Sequence, residues 1–233
     1  MAQPKDRKDS TDRSALLVGA TGLVGGELLK LLLADPRYGR VHTVGRRTPA
    51  IAHAKLTAHV ADMANPIQLA ALPPVNDVYC ALGTTIKVAG SQAAFKAVDL
   101  DAVVAVAKAS QANKAVRIGV VSAMAADPKS GVFYNRIKGE MEAAVAKLGY
   151  ESVSIARPSM LAGDRDSLKQ ASRPGEQIGL KLMSAVNFLI PANYKAIAAA
   201  DVASALHRMV TEGRAGVRIA MSGELSALVS AAS

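Results

Sequence analysis

"SALLVGATGLVGGELLKLLLAD", residues 14–35, decides the fold. Residues 14–20 form a short β-rich apolar run of the kind a buried strand presents. From Leu23 the apolar residues recur at helical spacing until Asp35 and Pro36 stop the pattern. Between the two lie Gly19, Gly22 and Gly25, spaced G-x-x-G-x-x-G. A glycine turn that follows a strand directly and opens a helix is the setting of a dinucleotide-binding loop. In that setting Gly19 permits a tight turn, Gly22 lets backbone approach a pyrophosphate, and Gly25 lets the helix pack close to the sheet. The N–H groups of Thr21, Gly22, Leu23 and Val24, with the helix dipole behind them, then face the phosphates.

Outward from this stretch, strand and helix patterns alternate. Residues 40–45, 55–61, 77–82, 116–122 and 151–157 read as strands, the last ended by Pro158. Helices are expected over residues 99–113, where Asp99 opens an Ala-rich run, and through the stretch that carries Tyr134 and Lys138. Such alternation implies right-handed crossovers and a parallel sheet covered on both faces. The expected fold is α/β: a Rossmann-type doubly wound parallel sheet with a small C-terminal cap. Residues 1–13 are expected as a disordered tail and 14–233 as one NAD(P)-binding domain, with 14–156 the cofactor core and 157–233 the substrate-side cap. Within the cap, the stretch from Leu161 to Gly179 reads as a loop and "LKLMSAVNFLI" (180–190) as an apolar helix stopped by Pro191. "AADVASALHRMVTEG" reads as a helix closed by Gly213, followed by a strand "GVRIAMS" and a short last helix.

Composition narrows the class. The 233 residues are 50% hydrophobic but only 3% aromatic, with no Trp, so Ala, Val, Leu and Ile fill the core. The net charge is +9, yet the basic residues are scattered and those of the N-terminal tail alternate with Asp6, Asp9 and Asp12. With few aromatics to stack on bases, nucleic acid is not the expected partner. No apolar run reaches the length of a membrane span, and the N-terminus carries no secretory pattern. Cys80 is the only cysteine, which excludes an intramolecular disulfide. A cytoplasmic monomer or homodimer is expected. The four histidines (His42, His53, His59, His207) have no ligand spacing, so no metal is expected.

The strand ends carry the chemistry. At the end of the second strand an NAD site usually places an acid, whereas this chain has Arg46 and Arg47. A guanidinium grips a 2′-phosphate with two hydrogen bonds, so the reading is NADP(H). Asp62, with Met63 beside it, either accepts from the adenine amino group or caps the helix that follows. Ala81, Leu82 and Gly83 end the fourth strand near the nicotinamide ribose, Gly83 letting backbone pass close. Pro158 closes the set expected along the cofactor. Cys80 reads as core, with no histidine placed to activate it. Tyr134 and Lys138 stand four apart, hence on one helix face. Lys138 would hold the ribose hydroxyls and lower the pKa of Tyr134, which would exchange a proton with a carbonyl or carbinol oxygen. Ser122 would hydrogen-bond the same oxygen. Met160, Leu161, Leu180, Met183 and Phe188 are candidates for an apolar substrate pocket, with Arg165 or Arg173 at its mouth.

Gly19-x-x-Gly22-x-x-Gly25, Arg46, Ser122 and Tyr134-x-x-x-Lys138 resemble the short-chain dehydrogenase/reductase superfamily. More narrowly, "VGATGLVGGELL", "CALGTTIKVAGSQAAFKAVDLD", "ADPKSGVFYNRIKGEME" and "RPSMLAGDR" resemble its atypical branch of NAD(P)H-binding or Tat-interacting-protein-like oxidoreductases. The resemblance runs from about residue 14 to the end. It implies a Rossmann fold, NADP(H), and Ser122, Tyr134 and Lys138 as the catalytic trio. One departure is visible: Asp99 and Asp101 stand where many members place an asparagine that completes a proton relay. The expected activity is an NADP(H)-dependent carbonyl reductase or alcohol dehydrogenase. The alternatives are an NADP(H)-sensing regulatory protein without turnover and a sugar-nucleotide epimerase, against which the short cap argues.

Overall fold

A computed structural model describes residues 13–162 and 191–231. Its main sheet has seven strands: β1 (Arg13–Val18), β2 (Tyr38–Gly45), β3 (Leu56–Val60), β4 (Asp77–Cys80), β5 (Arg117–Val121), β6 (Ser152–Arg157) and β9 (Gly216–Met221). They run in the order β3-β2-β1-β4-β5-β6-β9, and every neighbouring pair is parallel. β7 (Leu161–Ala162) and β8 (Ile197–Ala198) form a separate parallel pair. The order reverses between β1 and β4. In an open α/β sheet such a reversal is where a crevice forms outside the strands' C-terminal ends.

The doubly wound expectation holds, and the sequence pattern explains why. β1 is the central strand, and Ala15, Leu16, Leu17 and Val18 are all fully buried. Both faces are covered, so the strand shows no polar alternation. Leu17 points toward α1 (Leu23–Ala34) and α7 (Ala199–Glu212), packing with Leu28, Leu32, Leu206 and Val210. Leu16 and Val18 point the other way, toward α2 (Pro66–Ala70), α5 (Val103–Ala112) and α6 (Phe133–Ala146), among Leu69, Val106 and Met141. Each such side chain contributes roughly 1.5–3 kcal/mol on burial.

Two stretches differ from expectation. The helix foreseen over 99–113 begins earlier. Ser91 caps α4 (Gln92–Lys96), its Oγ accepting from Ala94 N–H at 3.1 Å. The chain then passes through a π-helical turn, Ala97–Ala102, into α5. A short helix, α3 (Ile86–Ala89), precedes it. The second difference is the segment expected as a cap. Of its described part, β9 pairs with β6 as the seventh strand of the main sheet, and α7 packs on α1, β5 and β6. Ala203, Ala205, Leu206 and Val210 of α7 are core residues, so this stretch completes the sheet instead of covering its edge. Gly213 does close α7, in the left-handed region at φ 61°, and α8 (Ser222–Ser230) ends the described chain. The expected tail is described only at Arg13, which pairs with Tyr38 in the sheet. The expected loop beyond Ala162 and the helix over 180–190 lie outside the described residues.

At the strands' N-terminal ends a buried polar cluster ties the layers together. The Tyr38 hydroxyl donates to Asp77 Oδ2 at 2.6 Å and lies 2.9 Å from the Tyr79 hydroxyl. Arg117 Nε donates to Asp77 Oδ1 at 2.5 Å. His207 of α7 stacks against Tyr79, and its Nε2 lies 2.9 Å from Asp35 Oδ2, which also accepts from Arg37 Nη2 at 2.7 Å.

Candidate active site

The glycine turn folds as its spacing foretells, with each glycine constrained differently. Gly19 has φ +86°, and an added Cβ would lie 2.5 Å from the Ala81 carbonyl oxygen. At Gly25 an added Cβ would overlap the Gly19 carbonyl. At Gly22 the nearest atom to an added Cβ would be Gly19 O at 3.4 Å, an ordinary contact. The protein itself therefore demands glycine at 19 and 25 but leaves space at 22. The Gly22 N–H donates to Gly19 O at 3.0 Å, so it is not free for a ligand as expected. Leu23 and Val24 open α1, whose N-terminus has no side-chain cap, and their N–H groups have no acceptor inside the helix. Thr21, Gly22 and Leu23 are exposed, while the Val24 side chain is buried in the core and offers only its backbone.

A cleft of about 290 Å³ opens beside this turn. Gly19, Thr21, Arg46, Arg47, Asp62, Met63 and Leu82 line it, so seven of the expected cofactor residues are brought together. Arg46 and Arg47 are exposed, and neither makes an ion pair or hydrogen bond to any described residue. Asp62 Oδ1 accepts from Ala64 N–H at 2.9 Å and closes a turn. The helix cap itself is Asn65, whose Oδ1 accepts from Ile67 N–H at 3.0 Å and Gln68 N–H at 3.3 Å. Ala97, Val98 and Ala102 of the π turn also line the cleft. These were missed from sequence because they lie inside what reads as an ordinary helical stretch. The Ser91 cap was the signal that would have moved its start.

Next to Leu82 of the cleft, Gly83 borders the residues expected to handle a proton. Lys138 is buried in α6, and its Nζ lies 2.7 Å from Oδ1 of Asp99, which is fully buried in the π turn. Asp99 Oδ2 accepts from the Thr84 N–H at 3.0 Å. Asp101 is different: it is half-exposed and pairs with Lys96 on the surface at 2.7 Å. Gly83 borders both groups, since an added Cβ would lie 3.7 Å from Asp99 Oδ1 and 3.9 Å from Lys138 Nζ. Tyr134 lies one turn before Lys138, its ring 5.4 Å from that of Phe95. Ser122 follows β5, and its buried Oγ has no hydrogen-bond partner among the described residues.

Two expectations change here. Burial, with the Asp99 charge adding to it, pushes the Tyr134 hydroxyl above its ordinary value instead of lowering it. The Lys138 charge expected to lower it is matched by Asp99. Pro158 is buried, accepts from Met124 N–H at 3.0 Å, and is not among the cleft-lining residues. Cys80 is core as expected, burial pushing its thiol up to about 12. Met160 is 65% exposed and Leu161 lies in β7; Arg165, Arg173, Leu180, Met183 and Phe188 lie outside the described residues. No group of metal-ligating side chains is found, and no helix is long and apolar enough to cross a membrane, among the described residues.

These features define a dinucleotide-binding Rossmann protein of the short-chain dehydrogenase/reductase type. Its backbone superposes on the Bordetella bronchiseptica enzyme WbmH in complex with NAD+ with a TM-score of 0.64, at 16% identity, covering 91% of this chain and 76% of that one. No protein-family model matches the chain. The chain is 37% identical over 169 residues to the mitochondrial protein fmp52 of Emericella nidulans, covering 70% of this chain and 71% of that protein. It is 31% identical over 206 residues to protein HTATIP2 of Rattus norvegicus, covering 87% and 83% respectively. The chain belongs to the family of the Fmp52 and HTATIP2 proteins, an atypical, NAD(P)-binding and oxidoreductase-like branch of the superfamily. The expectation of a cytoplasmic location is overturned: fungal relatives, including that of Candida albicans, are named mitochondrial and point there instead. A single cysteine fits any reducing compartment and gives no ground for choosing the cytosol.

Proposed function

We propose that the protein is an NADP(H)-dependent oxidoreductase of the carbonyl reductase or alcohol dehydrogenase type, acting on a small carbonyl or alcohol. The observation that carries this reading is the pair of guanidiniums, Arg46 and Arg47, in the cleft beside the glycine turn, neither of them paired among the described residues. They stand where an NAD site places a carboxylate, and a 2′-phosphate would satisfy both their charge and their fork of donors. The residues fit a nicotinamide dinucleotide in two further respects. Space remains over Gly22 for a pyrophosphate, and the buried Ser122 Oγ has no partner among the described residues, so a ligand oxygen would supply one.

The residue roles follow. The N–H groups of Leu23 and Val24 bind phosphate, with the helix dipole behind them. Asp62 and Met63 border the adenine side, and Leu82 and Gly83 the ribose side. When bound, the reduced nicotinamide supplies a hydride. Tyr134 gives the carbonyl oxygen a proton, Ser122 donates a hydrogen bond to the same oxygen, and Lys138 orients the ribose hydroxyls. The test is the loss of NADPH absorbance against a panel of aldehydes, ketones and quinones, run in parallel with NADH. Turnover with NADPH on at least one compound is expected. Tight NADPH binding with no turnover across the panel would replace this reading with that of a cofactor-sensing protein.

A further inference from the structure

We infer that Asp99 is a positioning residue that holds Lys138 in place and, by neutralising its ammonium, keeps the Tyr134 hydroxyl protonated, setting the site to give a proton to a carbonyl rather than take one from an alcohol. The inference deepens the proposed oxidoreductase reading and rests on it for the direction of reaction. The ion pair itself does not depend on that reading.

The geometry is specific. Asp99 is fully buried, and both of its oxygens are engaged: Oδ1 with Lys138 Nζ at 2.7 Å and Oδ2 with the Thr84 N–H at 3.0 Å. It thereby joins three elements: the loop after β4, the π turn and α6. A π turn carries an extra residue and re-aims the side chains around it, and such turns gather at functional sites. Asp101, two residues on, faces solvent and pairs with Lys96, so only one of the two carboxylates serves the site.

Burial already raises the Tyr134 hydroxyl, and the charges around it add to that. A lone ammonium one turn away would favour the phenolate. Here that ammonium has a buried carboxylate at contact distance, and the carboxylate's own charge opposes the phenolate. Among the described residues no other charge acts on the Tyr134 hydroxyl. Arg136, on the same helix, lies over the Phe133 ring; Arg157 of β6 is held by Glu142 at 2.5 Å; Cys80 of β4 is a protonated thiol. Tyr134 thus stays a proton donor at neutral pH. In the reductive direction the carbonyl carbon accepts a hydride from a reduced nicotinamide dinucleotide, which is oxidised. The C=O π pair takes the Tyr134 proton, and water returns a proton to the phenolate.

The test is an ultraviolet titration of the phenolate in the protein without nucleotide or substrate, with Tyr134→Phe subtracted to isolate Tyr134. In the wild type Tyr134 ionises above the ordinary tyrosine value. In Asp99→Asn its ionisation constant should rise at least ten-fold, and Asp99→Glu should restore the wild-type curve. If Asp99→Asn does not fold, Asp99→Ser, whose hydroxyl can still accept the Thr84 N–H, takes its place. An unchanged or higher Tyr134 pKa in the neutral variant overturns the inference. A shifted phenol in a protein without turnover upholds the ion-pair role and removes only the proposed reaction. Turnover with an unshifted phenol does the reverse. Where the wild type turns over, the ratio of carbonyl reduction to alcohol oxidation at pH 7 should fall about ten-fold in Asp99→Asn; no change overturns the directional part.

Discussion

Gly19 and Ala81 pass so close that a Cβ on Gly19 would lie 2.5 Å from the Ala81 carbonyl oxygen. The two residues leave the C-terminal ends of β1 and β4, the neighbours between which the strand order reverses. Gly19 thus has a structural reason beside the ligand-binding one its spacing suggests, because β1 and β4 cannot approach with a side chain between their loops. At Gly22 the fold itself supplies no such reason.

The glycines therefore give a contrasting set. Gly22→Ala should leave the melting temperature of the protein without nucleotide nearly unchanged, since its Cβ meets nothing closer than 3.4 Å. Nucleotide affinity should fall at least ten-fold, about 1.4 kcal/mol. Gly25→Ala should destabilise the fold itself, because its Cβ overlaps the Gly19 carbonyl. Calorimetric melting and nucleotide titration of both variants check this. A Gly22→Ala protein that binds like wild type would remove the pyrophosphate from this turn.

Nucleotide choice follows from Arg46 and Arg47. NADPH should bind at least ten-fold tighter than NADH, a difference of about 1.4 kcal/mol. Arg46→Ala should remove most of that preference and leave NADH affinity within a few-fold. Because both guanidiniums are exposed, the preference should weaken as salt rises. Isothermal titration with the two nucleotides at low and high salt decides it; equal wild-type affinities would reject the assignment.

Most of the cleft beside the glycine turn was legible because its residues lie at strand ends, and strand ends announce themselves in sequence. Gly19, Arg46, Asp62 and Leu82 each follow a β-rich run by one or two positions. What was not legible depends on packing between distant elements. Nothing in "KAVDLDAV" shows that the helix expands there into a π turn, or that Asp99 turns inward while Asp101 turns out. The upward shift of Tyr134 comes first from burial and then from Asp99, and both depend on that packing. β9 was recognised as a strand, but its place beside β6 is a long-range pairing that local pattern does not carry.

Acid should destabilise the fold in two stages. Burial lowers the pKa of His207, only partly opposed by Asp35, and burial and His59 lower that of His42. Each folded imidazole binds a proton less readily than the unfolded chain. As pH falls below about 6.5 the unfolded state takes up protons first, and stability drops by up to about 1.4 kcal/mol per pH unit for each histidine. Asp35 acts lower: burial would raise its pKa, but hydrogen bonds from Arg37 outweigh that and hold it below the ordinary value. Its contribution is present above pH 4 and is lost as pH falls through the depressed folded value. Urea unfolding at pH 7, 6 and 5 should show the first stage, and His207→Gln with His42→Gln should flatten it while leaving the second. An unaltered slope in the double variant would place the linkage elsewhere.

The Tyr134 hydroxyl supplies the most direct test of chemistry. Tyr134→Phe removes one oxygen from a half-buried ring packed on Phe95, so the fold and nucleotide affinity should change little. Turnover of any accepted carbonyl should fall by about 10²–10⁴, the usual cost of losing a general acid. Lys138→Met should be worse in a different way. It leaves Asp99 buried without its counter-ion, which costs about 3–5 kcal/mol of stability, and it removes the proposed ribose contact. The pH profile separates donor from bystander. Because Tyr134 is held above its ordinary value, carbonyl reduction by the wild type should stay flat through neutral pH and fall only on the alkaline side, above about 10. That alkaline limb should vanish in Tyr134→Phe. A Tyr134→Phe protein that keeps both its rate and its alkaline limb would mean that the tyrosine is a helix-face residue and the proton comes from elsewhere.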